Sequence, residues 1–217
     1  MFRDRVDAAE RLLPFLRHRQ LQRPVVLAIP RGGLVLGRVL ADALPAELDV
    51  VLVRKVPYPG QPEAAAGAVA EDGVLHLNPQ VARHESIPET YWKEAHRQAL
   101  QRLEQLRRLF RQVRPPAQLK ERSVIVVDDG LATGATMQAA LLWLRSQHAH
   151  EIIVAVPVAA PDRLDEVAAQ CDDVVCLAAP ESFLAVGQWY EDFRPISDEE
   201  ALALLAGTYR GNPEVIR

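Results

Sequence analysis

The sequence predicts an α/β fold: a single doubly wound domain with a mainly parallel five-stranded core sheet, a β-hairpin flexible-loop region and a small carboxyl-terminal hood. Three observations predict it. Short apolar runs rich in β-formers recur at Val25–Ile29, Asp49–Val53, Val124–Val127, Glu151–Val156 and Val174–Leu177. Helical patterns separate most of them, the order that gives parallel strands joined by right-handed crossovers. At 217 residues with 49% hydrophobic and 25% charged side chains, the chain is long enough for one well-buried α/β domain and marginal for two.

The elements follow in order. Phe2 to His18 carries apolar residues at Phe2, Val6, Ala9, Leu12, Leu13 and Leu16, a helical period that Pro14 should kink or stop. After the first strand, Pro30-Arg31-Gly32-Gly33 is a turn and Leu34 to Ala43 a helix. Arg54 to Ala65, with Pro57, Pro59, Gly60 and Pro62, reads as an irregular loop. Glu71-Asp72-Gly73 between two short apolar runs marks a β-hairpin. Pro88 to Val113 is a long helix whose arginines, Arg97, Arg102, Arg107, Arg108 and Arg111, form a solvated face. Helices follow Val124–Val127 and Pro161, and Ser197-Asp198-Glu199-Glu200 caps a last one. The expected division is an amino-terminal helix over 2–18, a core over 24–178 and a hood over 179–217.

Bulk properties exclude several classes. A net charge of −4 gives no general pull toward nucleic acid or anionic membrane, so no nucleic-acid partner is expected. No apolar stretch approaches membrane-spanning length, and Met1-Phe2-Arg3-Asp4-Arg5 lacks the apolar core of a signal peptide; a cytoplasmic location is expected. Cys171 and Cys176 read as small buried hydrophobes, and His84, His96, His148 and His150 as surface residues without ligand spacing.

The chemistry concentrates in Val124-Ile125-Val126-Val127-Asp128-Asp129-Gly130-Leu131-Ala132-Thr133-Gly134-Ala135-Thr136. A buried strand ends in two carboxylates, and a Gly/Thr-rich loop leads into a helix. Ligands of open α/β sheets sit at that end of the strands. A small turn feeding a helix start collects unpaired N–H groups and the positive end of the helix dipole, which suits phosphate. Acids beside a phosphate cradle make sense for a sugar phosphate, whose vicinal hydroxyls donate to them. Two further sites stand at strand ends: the glycine turn with Arg31, Gly32 and Gly33, and the cations Arg54 and Lys55. The segment 183–193 is dense in aromatics for a chain with 6% overall.

The block Asp128-Asp129-Gly130-Leu131-Ala132-Thr133-Gly134-Ala135-Thr136 resembles the PRPP-binding motif of the type I phosphoribosyltransferases, and the likeness extends over roughly 25–192. Taken with the Pro-Arg-Gly-Gly turn, the Arg-Lys pair and Val-Gly-Gln-Trp-Tyr-Glu-Asp-Phe, it looks like a bacterial subgroup of that family. The resemblance implies transfer of the 5-phosphoribosyl group of PRPP to a nitrogenous base or related acceptor, with release of pyrophosphate. It implies ribose contacts for Asp128 and Asp129, and 5-phosphate contacts for Ala132, Thr133, Gly134, Ala135 and Thr136. Arg31, Gly32, Gly33, Arg54 and Lys55 become the pyrophosphate site, and Glu63, in the catalytic loop, a positioning group. Trp189, Tyr190 and Phe193 become base-binding residues. Mg²⁺ is implied through PRPP, with water-mediated contact to Asp128 and Asp129 at most, and a homodimer is a family expectation. Gly130 departs from the family, which usually has an aliphatic residue there. The acceptor base stays open. So do two rivals, a PRPP or nucleotide sensor without turnover and a hydrolase using water as acceptor.

Overall fold

A computed structural model describes residues 1–78 and 87–209, of residues 62–65 the backbone alone. Its central sheet has the order β2-β1-β6-β7-β8, all parallel, with β1 Val25–Ala28, β2 Glu47–Val50, β6 Ser123–Val127, β7 Glu151–Val158 and β8 Asp173–Ala178. The expected five-stranded parallel core is present. Every residue of β1 and β6 is buried, because helices cover both faces. On one face lie α1 Arg5–Arg17, α2 Gly33–Ala43, α3 Glu89–Arg111 and α6 Asp198–Ala206. On the other lie α4 Ala135–Leu144 and α5 Pro161–Ala168.

The first strand β1 pairs with β2 on one side and with β6 on the other, with Val25 beside Val124 and Ala28 beside Val127. Chain direction across the sheet reverses between them, so the loops after β1 and β6 open side by side at a topological switch point. A second, antiparallel sheet, β3 Val53–Tyr58, β4 Gln61–Ala70 and β5 Leu75–Leu77, packs on α3 and α4.

This sheet corrects one expectation. The Pro-rich stretch from Arg54 is a β-hairpin, not an irregular loop: Pro57 falls at a register shift, where its missing N–H breaks no ladder, and Gly60 turns the chain at φ +78°. Arg54 and Lys55 are therefore inside β3, opposite Val69 and Ala68, rather than at the end of a core strand. The Asp72-Gly73 hairpin is present, with Gly73 at φ +77°. Pro14 does not stop α1, which runs on to Arg17; Pro14 and Glu10 are both exposed, so water can take the freed Glu10 carbonyl. Ser197 and Glu200 form the expected cap of α6 as a reciprocal capping box.

One arginine of the α3 stripe is not solvated. Arg111 reaches through to buried Asp49 (2.7 Å) and to Glu71 (2.6 Å), tying α3 to both sheets. The two thiols are half-buried and free, and burial pushes that of Cys171 up to about 11, which keeps it unreactive. His84 lies outside the described residues. His96 is not a free surface residue, because its Nε2 bonds the Gly73 carbonyl at 2.8 Å. Among the described residues no helix is long and apolar enough to cross a membrane.

Candidate active site

The site forms where β1 and β6 end. Four buried apolar residues after Ser123 carry β6 to Val127, and Asp128 and Asp129 follow, both half-buried. Asp128 Oδ1 accepts the Asp129 backbone N–H at 2.8 Å. Burial first, then the negative charge of Asp129, pushes the Asp128 carboxyl well above the ordinary carboxylate range. Replacing it tests that cost. A carboxyl with a raised folded-state pKa costs nothing while it is neutral in both states. It opposes folding once the unfolded chain ionises, above pH about 3.8. Asp128→Asn keeps an oxygen for the Asp129 N–H and removes the charge. Its Tm is expected to match the parent at acid pH and to exceed it by about 2–4 °C at neutral pH, on the scale of about 1 kcal/mol. A gap independent of pH would refute the repulsion.

After Asp129 the chain bends through Gly130 to Gly134, which sits at φ +67°, and α4 starts at Ala135. That left-handed conformation is why glycine stands there. No side chain caps α4, although Thr133 Oγ1 lies 3.4 Å from the Ala135 N–H. The residues Ala132, Thr133 and Thr136 are exposed, so both hydroxyls face solvent beside a helix start. Gly130 finds its reason in packing: a Cβ there would lie 2.7 Å from Val186 of a 3-10 turn, Val186–Trp189, so the hood fills the space an aliphatic side chain would take.

The turn after β1 touches the acid pair directly. Gly32 has ordinary helical angles, φ −57° and ψ −40°, yet a Cβ on it would lie 2.0 Å from Asp129 Oδ2. A Cβ on Gly33 would lie 2.7 Å from the Val127 carbonyl oxygen. These glycines are fixed by close approach to β6 and its carboxylate, not by an unusual φ. Arg31, half-exposed, pairs with Asp198 at the start of α6 at 2.7 Å. Arg54 has a buried Nε without a partner among the described residues, and burial together with Arg102 lowers its pKa. The side chain of Glu63 lies outside the described residues.

The aromatic segment needs correction. Tyr190 is 6% exposed and packs between Phe2 (5.4 Å) and Phe193 (5.0 Å). Its hydroxyl donates to the Asp129 carbonyl at 2.7 Å, and burial pushes the phenol above its ordinary range. Phe193 has one face under the Arg5 guanidinium at 4.0 Å, and Gly187 crowds its edge. Tyr190 is therefore closed to a base, and Phe193, half-buried, has one face taken by Arg5. Trp189 differs, being half-buried, with a buried indole N–H that finds no acceptor among the described residues.

Arg5 is the residue the sequence reading missed. It is 8% exposed, and its Nε donates to Asp129 Oδ2 at 2.8 Å. A signal was present: Arg5 precedes Ala9 by four residues and Leu12 by seven, so it occupies the apolar stripe of its helix.

The sequence profile of the phosphoribosyl transferase domain matches residues 3–194, most of the chain. The protein belongs to the phosphoribosyl transferase domain family. Its fold superposes on the crystal structure of TT1426 from Thermus thermophilus with a TM-score of 0.90 at 43% identity, covering 95% of this chain and 98% of that one. It is 40% identical over 210 residues to "Putative phosphoribosyl transferase Rv0571c" of Mycobacterium tuberculosis, covering 97% of this chain. This chain spans 47%, about half, of that relative's length. A shorter likeness, 37% over 70 residues, links 32% of this chain to 34% of a uracil phosphoribosyltransferase of Desulfitobacterium hafniense.

Proposed function

We propose that this protein transfers the 5-phosphoribosyl group of PRPP to a nitrogenous base or a related small acceptor and releases pyrophosphate. The observation that carries this reading is the meeting of three groups at one switch point: the acid pair Asp128–Asp129, the uncapped start of α4, and the glycine turn pressed against Asp129. The carboxylates accept hydrogen bonds from the ribose 2- and 3-hydroxyls. The backbone of 132–136 and the hydroxyls of Thr133 and Thr136 hold the 5-phosphate. Arg31, which gives up Asp198, and the turn at Gly32 and Gly33 hold the diphosphate, with Arg54 and Lys55 as further cations.

Displacement at the anomeric carbon builds positive charge on the ribose while the departing pyrophosphate carries negative charge. The protein's contribution is then mainly position and electrostatics. In this reading Asp128 and Asp129 face the developing cation, and Arg31 with Arg54 faces the leaving group. Trp189, half-buried, is the remaining aromatic contact for the acceptor, through its ring. Tyr190 holds the Asp129 backbone in place.

A Mg²⁺ ion fits this donor set. No group of three or more His, Cys, Asp or Glu among the described residues makes a protein cage. The crowded acid pair, with the Asp128 carboxyl pushed up by burial and then by the charge of Asp129, is the kind of site a cation carried by substrate oxygens would relieve. Asp128 and Asp129 would hold such an ion through water, and it would supply positive charge against the leaving diphosphate.

The test is pyrophosphate release from PRPP and Mg²⁺ across a panel of purine and pyrimidine bases, with a control lacking base. Release that depends on one base is expected and names the acceptor. Equal release without base makes the protein a hydrolase. PRPP binding with no release from any base makes it a sensor.

A further inference from the structure

We infer that Arg5, from the amino-terminal helix, is a positioning residue for the ribose contact: its guanidinium holds one oxygen of Asp129 and so aims the other at the substrate. This rests on the reading of Asp129 as an acceptor for ribose hydroxyls. An arginine on the buried stripe of a helix is costly unless its charge and donors are used. Arg5 uses three features at once. Nε donates to Asp129 Oδ2 at 2.8 Å, Nη1 donates to the Arg194 carbonyl at 2.9 Å, and the planar face lies over Phe193 at 4.0 Å. The side chains of Arg5 and Asp129 are 9% and 15% exposed, so water does little to screen the pair.

The surroundings fix the arginine in turn. Phe2 N–H donates to the Trp189 carbonyl at 2.7 Å, and Glu191 N–H to the Phe2 carbonyl at 2.9 Å. This short ladder sets where α1 begins, and Asp4 caps the helix by accepting the Asp7 N–H at 2.8 Å. Gly187 lets Phe193 close in, since a Cβ there would meet its ring at 2.9 Å. The result is an aspartate held at two places: its Oδ2 by Arg5 and the close Gly32 turn, and its backbone carbonyl by Tyr190. The fork is divided, Nε to the Asp129 carboxylate and Nη1 to the Arg194 carbonyl, so the second bond and the Phe193 ring fix the guanidinium plane from which Nε holds Oδ2.

The test compares two ligands on Arg5→Met, Arg5→Lys and Asp129→Asn, titrated by calorimetry with Mg²⁺ present. Ribose 5-phosphate needs the aimed carboxylate, whereas inorganic pyrophosphate needs only the Arg31 turn and its neighbouring cations. Arg5→Met is expected to raise the Kd for ribose 5-phosphate about tenfold or more and to leave pyrophosphate within about twofold. Arg5→Lys, which keeps charge without the fork, is expected to recover part of the loss. Equal loss of both ligands reduces Arg5 to a structural tie, and unchanged ribose 5-phosphate binding removes it from the site; either result overturns the inference. Should Arg5→Met fail to fold, Arg5→Lys decides: ribose 5-phosphate weakened alone supports the role, and no change overturns it. Ribose 5-phosphate that ignores Asp129→Asn, or fails to bind the parent protein, overturns the ribose reading and this inference together. A loss in Asp129→Asn without one in Arg5→Met overturns the inference alone.

Discussion

Asp129→Asn is expected to cut PRPP turnover about hundredfold or more while circular dichroism shows the fold unchanged. The size of the effect comes from the clamp. An asparagine has one acceptor oxygen, and the Arg5 Nε, 2.8 Å from Asp129 Oδ2, is a fixed donor that claims it. The amide NH₂ then faces the substrate, so an acceptor of ribose hydroxyls becomes a donor opposing them. The shape is preserved and the Tyr190 bond to the residue 129 carbonyl is untouched, which keeps the strand end in place. Turnover within about twofold of the parent would remove Asp129 from the ribose contact.

Gly32→Ala is expected to be nearly as damaging, although it adds one methyl group to a backbone that suits alanine. At φ −57° and ψ −40° there is no conformational penalty. The added carbon would lie 2.0 Å from Asp129 Oδ2, 2.7 Å from its Cγ and 3.1 Å from Arg5 Nε. Either the carboxylate swings away from Arg5 or the turn retreats from β6, and both separate the pyrophosphate turn from the ribose carboxylate. Turnover is expected to fall about tenfold to hundredfold, with Tm lower by only a few degrees. A large loss of Tm with specific activity intact in the folded fraction would show that the turn serves the fold and not the site.

The core was legible because its strands are continuous apolar runs. Val124–Val127 declares itself buried on both faces, and two aspartates at its end have no packing explanation. The Asp-Gly hairpin and the Ser197–Glu200 cap were equally legible, since each is a local rule satisfied within four residues. The Pro-rich stretch misled because prolines oppose a ladder on average, whereas Pro57 sits between the two register shifts of its hairpin. The aromatics misled for another reason. Tyr190 and Phe193 look like a stacking surface in sequence, but their partners, Phe2 and Arg5, come from the other end of the chain. No local pattern links Arg5 to Asp129 across 124 positions; a charge on an apolar stripe signals a buried partner without naming it.

Calorimetric titration of PRPP with Mg²⁺ into the parent protein and into Asp129→Asn tests the central claim most directly. Saturable binding at one site per chain in the parent, lost or sharply weakened in the variant, is the predicted result. An absence of binding, or binding equally tight in both, would contradict it.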